Sequence, residues 1–169
     1  MRTMLSILIG CITILSFGQN PEGFDAMCNE NMQGTVPTAS AEQLRSDISK
    51  KSPVVILDSR ERKEYNVSHI SNAVYVGYDQ FNVNILNGVD KNTKIYVYCS
   101  VGYRSEKIGE KLINAGYTNV FNLYGGLFNW CNNGMPMVDE NGNQTTRIHG
   151  YDKSWAQWLN RSKCKPVLK

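Results

Sequence analysis

Apolar residues in this chain fall into short unbroken runs separated by stretches of helical period, an alternation that predicts a layered α/β fold. Val54-Val55-Ile56-Leu57 and Lys94-Ile95-Tyr96-Val97-Tyr98 are rich in β-branched and aromatic residues, and each reads as a strand buried on both faces. Residues 73–76 and 120–123 predict two further short strands. Ser40-Ala41-Glu42-Gln43 matches a capping box, after which Ala41, Leu44 and Ile48 mark one helical face that Pro53 ends. The charged residues 59–65 predict a short exposed helix, and residues 78–86 a helix stopped by Asn87-Gly88. Residues 105–115 carry Ile108, Leu112 and Ile113 at helical spacing, with Gly116 as the C-cap, and Gly125-Gly126 turns into an apolar segment at 127–131. The expected fold class is α/β, a central parallel sheet with helices on both faces, whose ligand site lies beyond the carboxyl ends of the strands.

The ends of the chain differ in character. Met1-Arg2-Thr3 precedes an uncharged apolar run, residues 4–17, that closes on Ser16-Phe17-Gly18. This pattern predicts a signal peptide over residues 1–19, shorter than the ~20 apolar residues a spanning helix needs. Cleavage near Gly18 or Gln19 would export the protein to the bacterial periplasm with no stable membrane insertion. Leu8-Ile9-Gly10-Cys11 resembles a lipobox, so lipidation of Cys11 is the alternative, and a retained anchor is a third. Residues 20–35 hold Pro21, Gly23, Asn29, Asn31 and Gly34 without apolar period and predict an irregular lead-in, order beginning near Val36. A domain over 36–135 follows, then an appendage over 136–169 that contains a polar turn, Asp139-Glu140-Asn141-Gly142-Asn143. Trp155, Trp158 and Leu159 have the spacing of a short helix packed on the core, a partner-docking stripe being the alternative.

With 169 residues, 41% hydrophobic and 20% charged, the chain has material for one domain and its extensions. A net charge of +3 without any basic run lacks the electrostatic footprint of nucleic-acid binding. The cysteines are scattered and His69 and His149 are the two histidines, so neither metal nor cofactor is expected. An exported protein meets conditions in which disulfides persist. If Cys99 stays free, Cys28, Cys131 and Cys164 form one pair with one left over, and Cys131–Cys164 and Cys28–Cys164 are both open.

Cys99 carries the candidate chemistry. It ends the second buried strand and opens the loop Cys99-Ser100-Val101-Gly102-Tyr103-Arg104 immediately before a helix for which Ser105 can act as cap. Unpaired N–H groups at a helix start and in a tight loop converge on a group held there, and they and Arg104 favour the thiolate, the form that attacks. Gly102 suits a loop that needs positive φ or a close backbone approach. A buried packing cysteine is the plainer reading; Cys, Gly and Arg within six residues of one another favour the nucleophile.

The chain resembles a single-domain rhodanese, a sulfurtransferase family. The matching pieces are Val54-Val55-Ile56-Leu57-Asp58-Ser59-Arg60, Glu64-Tyr65 leading to His69-Ile70-Ser71-Asn72-Ala73, Tyr98-Cys99-Ser100-Val101-Gly102-Tyr103-Arg104-Ser105, and Gly125-Gly126-Leu127-Phe128-Asn129-Trp130. The resemblance implies a rhodanese-like fold and a persulfide mechanism. Cys99 would take a sulfane sulfur from a donor such as thiosulfate, a persulfide or a polysulfide and pass it to cyanide, a thiol or a protein acceptor. Residues 100–104 would bind the substrate, their amides cradling the transferred sulfur, and Arg104 would be the loop's one side-chain cation. Asp58 and Arg60 occupy the acid and base that the family carries before its first short helix and would brace the loop as an ion pair, with Ser105 beside them in a supporting role. His69, in the family's His-Ile motif, is expected to make a structural hydrogen bond, and His149 to be solvated. Ser100, Val101 and Tyr103 are neutral, which disfavours a dianion such as thiosulfate; Tyr103 could shape the entrance for a persulfide, polysulfide or protein-bound sulfur.

Three rivals remain. Cysteine phosphatases place five residues between Cys and Arg, whereas four separate Cys99 from Arg104. A non-catalytic rhodanese-like module that binds a partner or carries sulfur would need neither residue. A thiol redox role lacks a Cys-x-x-Cys pair.

Overall fold

The computed structural model describes residues 20–168; the expected leader at 1–19, with Cys11, lies outside the described residues. In chain order the elements are α1 (Phe24–Asn31), β1 (Thr38–Ala39), α2 (Ala41–Ser49), β2 (Val54–Asp58), α3 (Arg62–Val67), β3 (Val74–Tyr75), a 3-10 turn (Val83–Leu86), β4 (Lys94–Tyr98), α4 (Tyr103–Asn114) and β5 (Val120–Leu123). There follow α5 (Gly126–Asn132), β6 (Met137–Val138), β7 (Gln144–Thr145), β8 (Arg147–His149), α6 (Lys153–Ala156) and β9 (Lys165–Val167).

Strands β1 to β5 form one parallel sheet in the order β1-β5-β4-β2-β3. The two apolar runs are its centre. Alternation along β4 sends Tyr96 and Tyr98 to one face and Ile95 and Val97 to the other, so both faces need a cover. The first face is covered by Phe24, Met27 and Cys28 of α1, Leu44 of α2, and Leu127, Phe128 and Trp130 of α5. Ile108 and Leu112 of α4, with Leu86, cover the second. Because all five strands run the same way, the ends of β2, β4 and β5 open on one edge, where Asp58, Cys99 and Asn122 lie.

Several expectations need correction. The lead-in is not irregular: α1 buries Phe24, Met27 and Cys28, whose i, i+3, i+4 spacing makes one apolar stripe among polar neighbours. Residues 78–86 hold a single 3-10 turn, because the Asn82 side chain accepts from the Asn84 N–H at 3.0 Å and closes a tight turn that competes with an α-helix. The helix expected over 59–65 starts later, at Arg62, behind a capping box between Glu61 and Glu64. Ser59 and Arg60 are withdrawn from it and buried, as is Glu64 within it. Ile48, placed on the buried face of α2, is exposed, while Ser40 caps that helix as expected, accepting from the Gln43 N–H at 3.2 Å. His149 is buried rather than solvated, and its Nδ1 accepts from the Tyr151 N–H at 3.2 Å.

A disulfide, a backbone bridge and apolar packing help fasten the appendage to the domain. Cys131 of α5 is disulfide-bonded to Cys164, the first of the two pairings left open, and Cys28 and Cys99 are free. His69 and Val138 exchange backbone hydrogen bonds of 2.8 and 2.9 Å. Trp155, Trp158 and Leu159 pack against the first core cluster as expected, but α6 ends at Ala156, so Trp158 and Leu159 follow the helix in a turn rather than share its face.

Candidate active site

Cys99 follows the central strand, and the next three residues curl above it before α4 begins. The Cys99 carbonyl accepts from the Leu127 N–H at 2.8 Å and the Ser100 carbonyl from the Phe128 N–H at 3.0 Å, so the first turn of α5 holds both carbonyls outward. In a trans peptide N–H and C=O point in opposite directions, which turns the N–H groups of Ser100 and Val101 away from α5. The Gly102 N–H donates to Cys99 Sγ at 3.2 Å. Ser105 Oγ lies 3.5 Å from the same sulfur, 3.0 Å from the Gly102 carbonyl and 2.7 Å from Asn122 Oδ1, so its one proton has three acceptors in reach.

Two glycines make the loop possible. Gly126 has φ +53°, and a Cβ there would collide with the Cys99 carbonyl oxygen and lie 2.7 Å from the Ser100 carbonyl. Gly102 has φ +125°, and a Cβ would meet Met32 Sδ at 2.5 Å. Gly102 is the N-cap of α4, and Ser105 stands inside the first turn, so the expectation of Ser105 as cap is corrected: its hydroxyl serves the loop instead.

Arg104 also differs from expectation. Its guanidinium forks onto Glu64, Nη1 to Oε2 at 2.7 Å and Nη2 to Oε1 at 2.9 Å, and Nη2 also donates to Ser100 Oγ at 3.0 Å. Ser100 Oγ donates to Glu64 Oε1 at 3.0 Å, and the Glu61 N–H to Oε2 at 3.0 Å. Burial alone would raise the Glu64 carboxyl; the Arg104 hydrogen bonds and charge, the nearby Arg60 and the Glu61 N–H outweigh it and hold the group at about 2. Arg104 is near enough for the Cys99 charge to act on it, but its cation is already matched by a buried carboxylate.

Asp58 and Arg60 form the expected ion pair, Nη2 to Oδ2 at 2.6 Å, with both side chains fully buried. Arg60 Nη2 also donates to the Ser68 carbonyl at 2.7 Å, and its guanidinium lies 5.7 Å from the Tyr98 ring centroid. Ser59 donates to the Tyr98 carbonyl from both N–H and Oγ at 2.9 Å. The pair thus braces the end of β4 and the 68–70 turn; the loop itself is tied by Glu64. His69 makes a structural bond, Nδ1 to the Tyr65 carbonyl at 3.0 Å, and stacks on the Tyr65 ring at 3.8 Å.

Cys99 lines a cavity of about 410 Å³. Of the loop residues expected to bind substrate, Ser100, Val101, Tyr103 and Arg104 line it and Gly102 does not, and they are joined by Phe128 of α5 and, from the appendage, Tyr151 and Trp155. The second free thiol, Cys28, is pushed up to about 12 by burial and by the charges of Asp25 and Cys99, which makes it a poor nucleophile. Among the described residues no group of three or more His, Cys, Asp or Glu side chains could hold a metal ion.

Sequence reasoning missed Glu64, Asn122, Met32, Tyr151 and Trp155 as parts of this site. Asn122 did leave a signal, since an amide inside a four-residue strand is unfavourable unless something there needs it. Glu64 stood in the Glu64-Tyr65 piece of the family resemblance, but nothing in its run of charges gave it a role in the site.

The rhodanese-like domain family model matches residues 40–133, more than half of the chain. The chain belongs to the rhodanese-like family. The thiosulfate sulfurtransferase GlpE of Coxiella burnetii is 30% identical to this rhodanese-like chain over 84 residues, 50% of this chain and 78% of that protein. The tRNA uridine(34) hydroxylase of Hamiltonella defensa is 31% identical over 90 residues, but this chain spans only 25% of its length. The solution structure of the rhodanese-like domain of the Anabaena Alr3790 protein superposes with a TM-score of 0.56 at 29% identity, covering 61% of this chain and 79% of that one. Sulfurtransferases among its relatives place the domain in a sulfur-transfer family. The family match stops short of α1 and of Tyr151 and Trp155, so Asn31 of α1 and these two residues line the cavity from outside the matched segment.

Proposed function

We propose that this protein is a sulfurtransferase in which Cys99 carries the transferred sulfur. As thiolate, Sγ attacks the outer sulfur of a donor; an Sγ–S bond forms, the bond from that sulfur to the rest of the donor breaks, and the leaving group departs with the electron pair. The Gly102 N–H, already on Sγ, and the loop amides turned away from α5 stabilise the persulfide charge. A thiol or cyanide then attacks the outer sulfur, the Sγ–S bond breaks, and the Cys99 thiolate returns. Neither half needs an external oxidant. The single observation that carries this reading is the geometry around Sγ: a Gly102 N–H at 3.2 Å, two loop carbonyls pinned outward by α5, and an open cavity above.

Incubating the protein with a sulfane-sulfur donor should add the mass of one sulfur to Cys99, and cyanide should remove it. The Cys99→Ser variant should gain nothing. Failure of the wild type to load with any donor, or equal loading of Cys99→Ser, would refute the assignment and leave a binding module. The Cys131–Cys164 disulfide supports work in an oxidising, extracytoplasmic compartment, in line with the expected leader.

A further inference from the structure

The cavity above Cys99 is larger than a small inorganic anion requires. Its volume of about 410 Å³ falls in the ~300–1,000 Å³ range of sites that enclose organic ligands. Val101 and Phe128 are buried at its base, and Tyr78, Tyr103, Tyr151 and Trp155 bring ring surface to its walls. Among the described residues that line it, Arg104 is the one cation, and that charge is matched by the fully buried Glu64 at 2.7 Å. The other charged lining groups, Glu61 and Asp79, are acidic. Lys63 stands beside the rim, 5.8 Å from the Tyr151 ring centroid, but pairs with Glu61 at 3.1 Å. A doubly charged donor would meet the Asp79 carboxylate, the Cys99 thiolate and two cations, Arg104 and Lys63, each already matched by a glutamate, in a site that offers mainly apolar contact.

Resting on Cys99 as the sulfur acceptor, we propose that the donor is an organic sulfane-sulfur compound with one negative charge and an apolar group, and that Tyr151 and Trp155 select it by packing on that group. The appendage is therefore part of the donor site. With a thiosulfonate, R–SO2–S⁻, the Cys99 thiolate attacks the terminal sulfur, the Sγ–S bond forms, the S–SO2 bond breaks and a sulfinate, R–SO2⁻, leaves with the electron pair. The transfer is redox-balanced without a co-reactant.

Three probes present the same terminal sulfur and differ only in charge and body: thiosulfate, methanethiosulfonate and benzenethiosulfonate. Loading rates of Cys99 are measured by mass spectrometry in the full chain, each divided by the rate of the same probe with a free small thiol to remove intrinsic reactivity. After that correction the benzene compound should exceed the methane compound by about tenfold, the scale of discrimination an apolar pocket supplies, and thiosulfate should be slowest. Trp155→Ala and Tyr151→Ala should each lower the benzene-to-methane ratio, a readout within one sample that a partly unfolded variant does not shift. Thiosulfate matching or beating the benzene compound, or a ratio unmoved in both variants, overturns the donor assignment while leaving sulfur transfer intact. If none of the three probes loads Cys99, sulfur transfer itself fails.

Discussion

Replacing Glu64 by Gln tests whether a buried carboxylate, rather than the loop sequence, holds the candidate site in place. Glu64 accepts four hydrogen bonds, two on each oxygen, from Ser100, Arg104 twice and the Glu61 N–H. The amide nitrogen of Gln accepts none, so either orientation of the new side chain forfeits the acceptor for at least one Arg104 N–H. The carboxyl titrates at about 2 in the folded chain against 4.5 for the ordinary group. At about 1.4 kcal/mol per tenfold change in proton affinity, that difference amounts to roughly 3 kcal/mol of stability. Because the folded-state value is depressed, the contribution is complete above 4.5, shrinks as pH falls, and is gone below about 2. Urea unfolding of wild type and Glu64→Gln across this range should therefore give a stability difference of roughly 3 kcal/mol that is flat from neutral pH to about pH 5 and then closes on acidification. Subtracting the two curves cancels the other carboxyl groups. A difference below about 1 kcal/mol at neutral pH, the scale of an exposed pair, would refute the reasoning. So would a difference that does not change with pH.

Arg60→Ala leaves the fully buried Asp58 without its partner and should cost about 3–5 kcal/mol, measured as a shift in the urea midpoint. Gly126→Ala places a Cβ against the Cys99 and Ser100 carbonyls at φ +53° and should slow sulfur loading of Cys99 more than Gly142→Ala, which meets no atom within 4 Å. Removing the Cys131–Cys164 crosslink by the double Cys→Ser change opens a loop with a sequence separation of 33. Chain entropy puts that loss at about 4 kcal/mol, readable by calorimetry.

How far the fold was legible follows from where the signals lie. Val54 to Leu57 and Lys94 to Tyr98 could be little other than central strands, because runs with no polar positions must be covered on both faces. Cys99, Gly102 and Arg104 announced a loop by their closeness in the chain. The helix at Phe24–Asn31 was hidden because its three apolar residues sit among glycine and asparagine, and burial rather than propensity stabilises so short a helix. Residues 78–86 failed the other way: their apolar period is real, but Asn82 closes a turn within it.

Local pattern, then, sufficed to mark the central strands and to put Cys99 at a strand end, since apolar runs and loop residues are read within a few positions; the pairing order of the sheet joins strands tens of residues apart. It also placed Arg104 in the loop, but not its charge balance. That Arg104 is neutralised by Glu64, 40 residues earlier, and that Tyr151 and Trp155 wall the cavity from the far end of the chain, was decided only when the domain closed. Such contacts join side chains distant in sequence, and no period or motif encodes which surfaces a sheet will bring face to face.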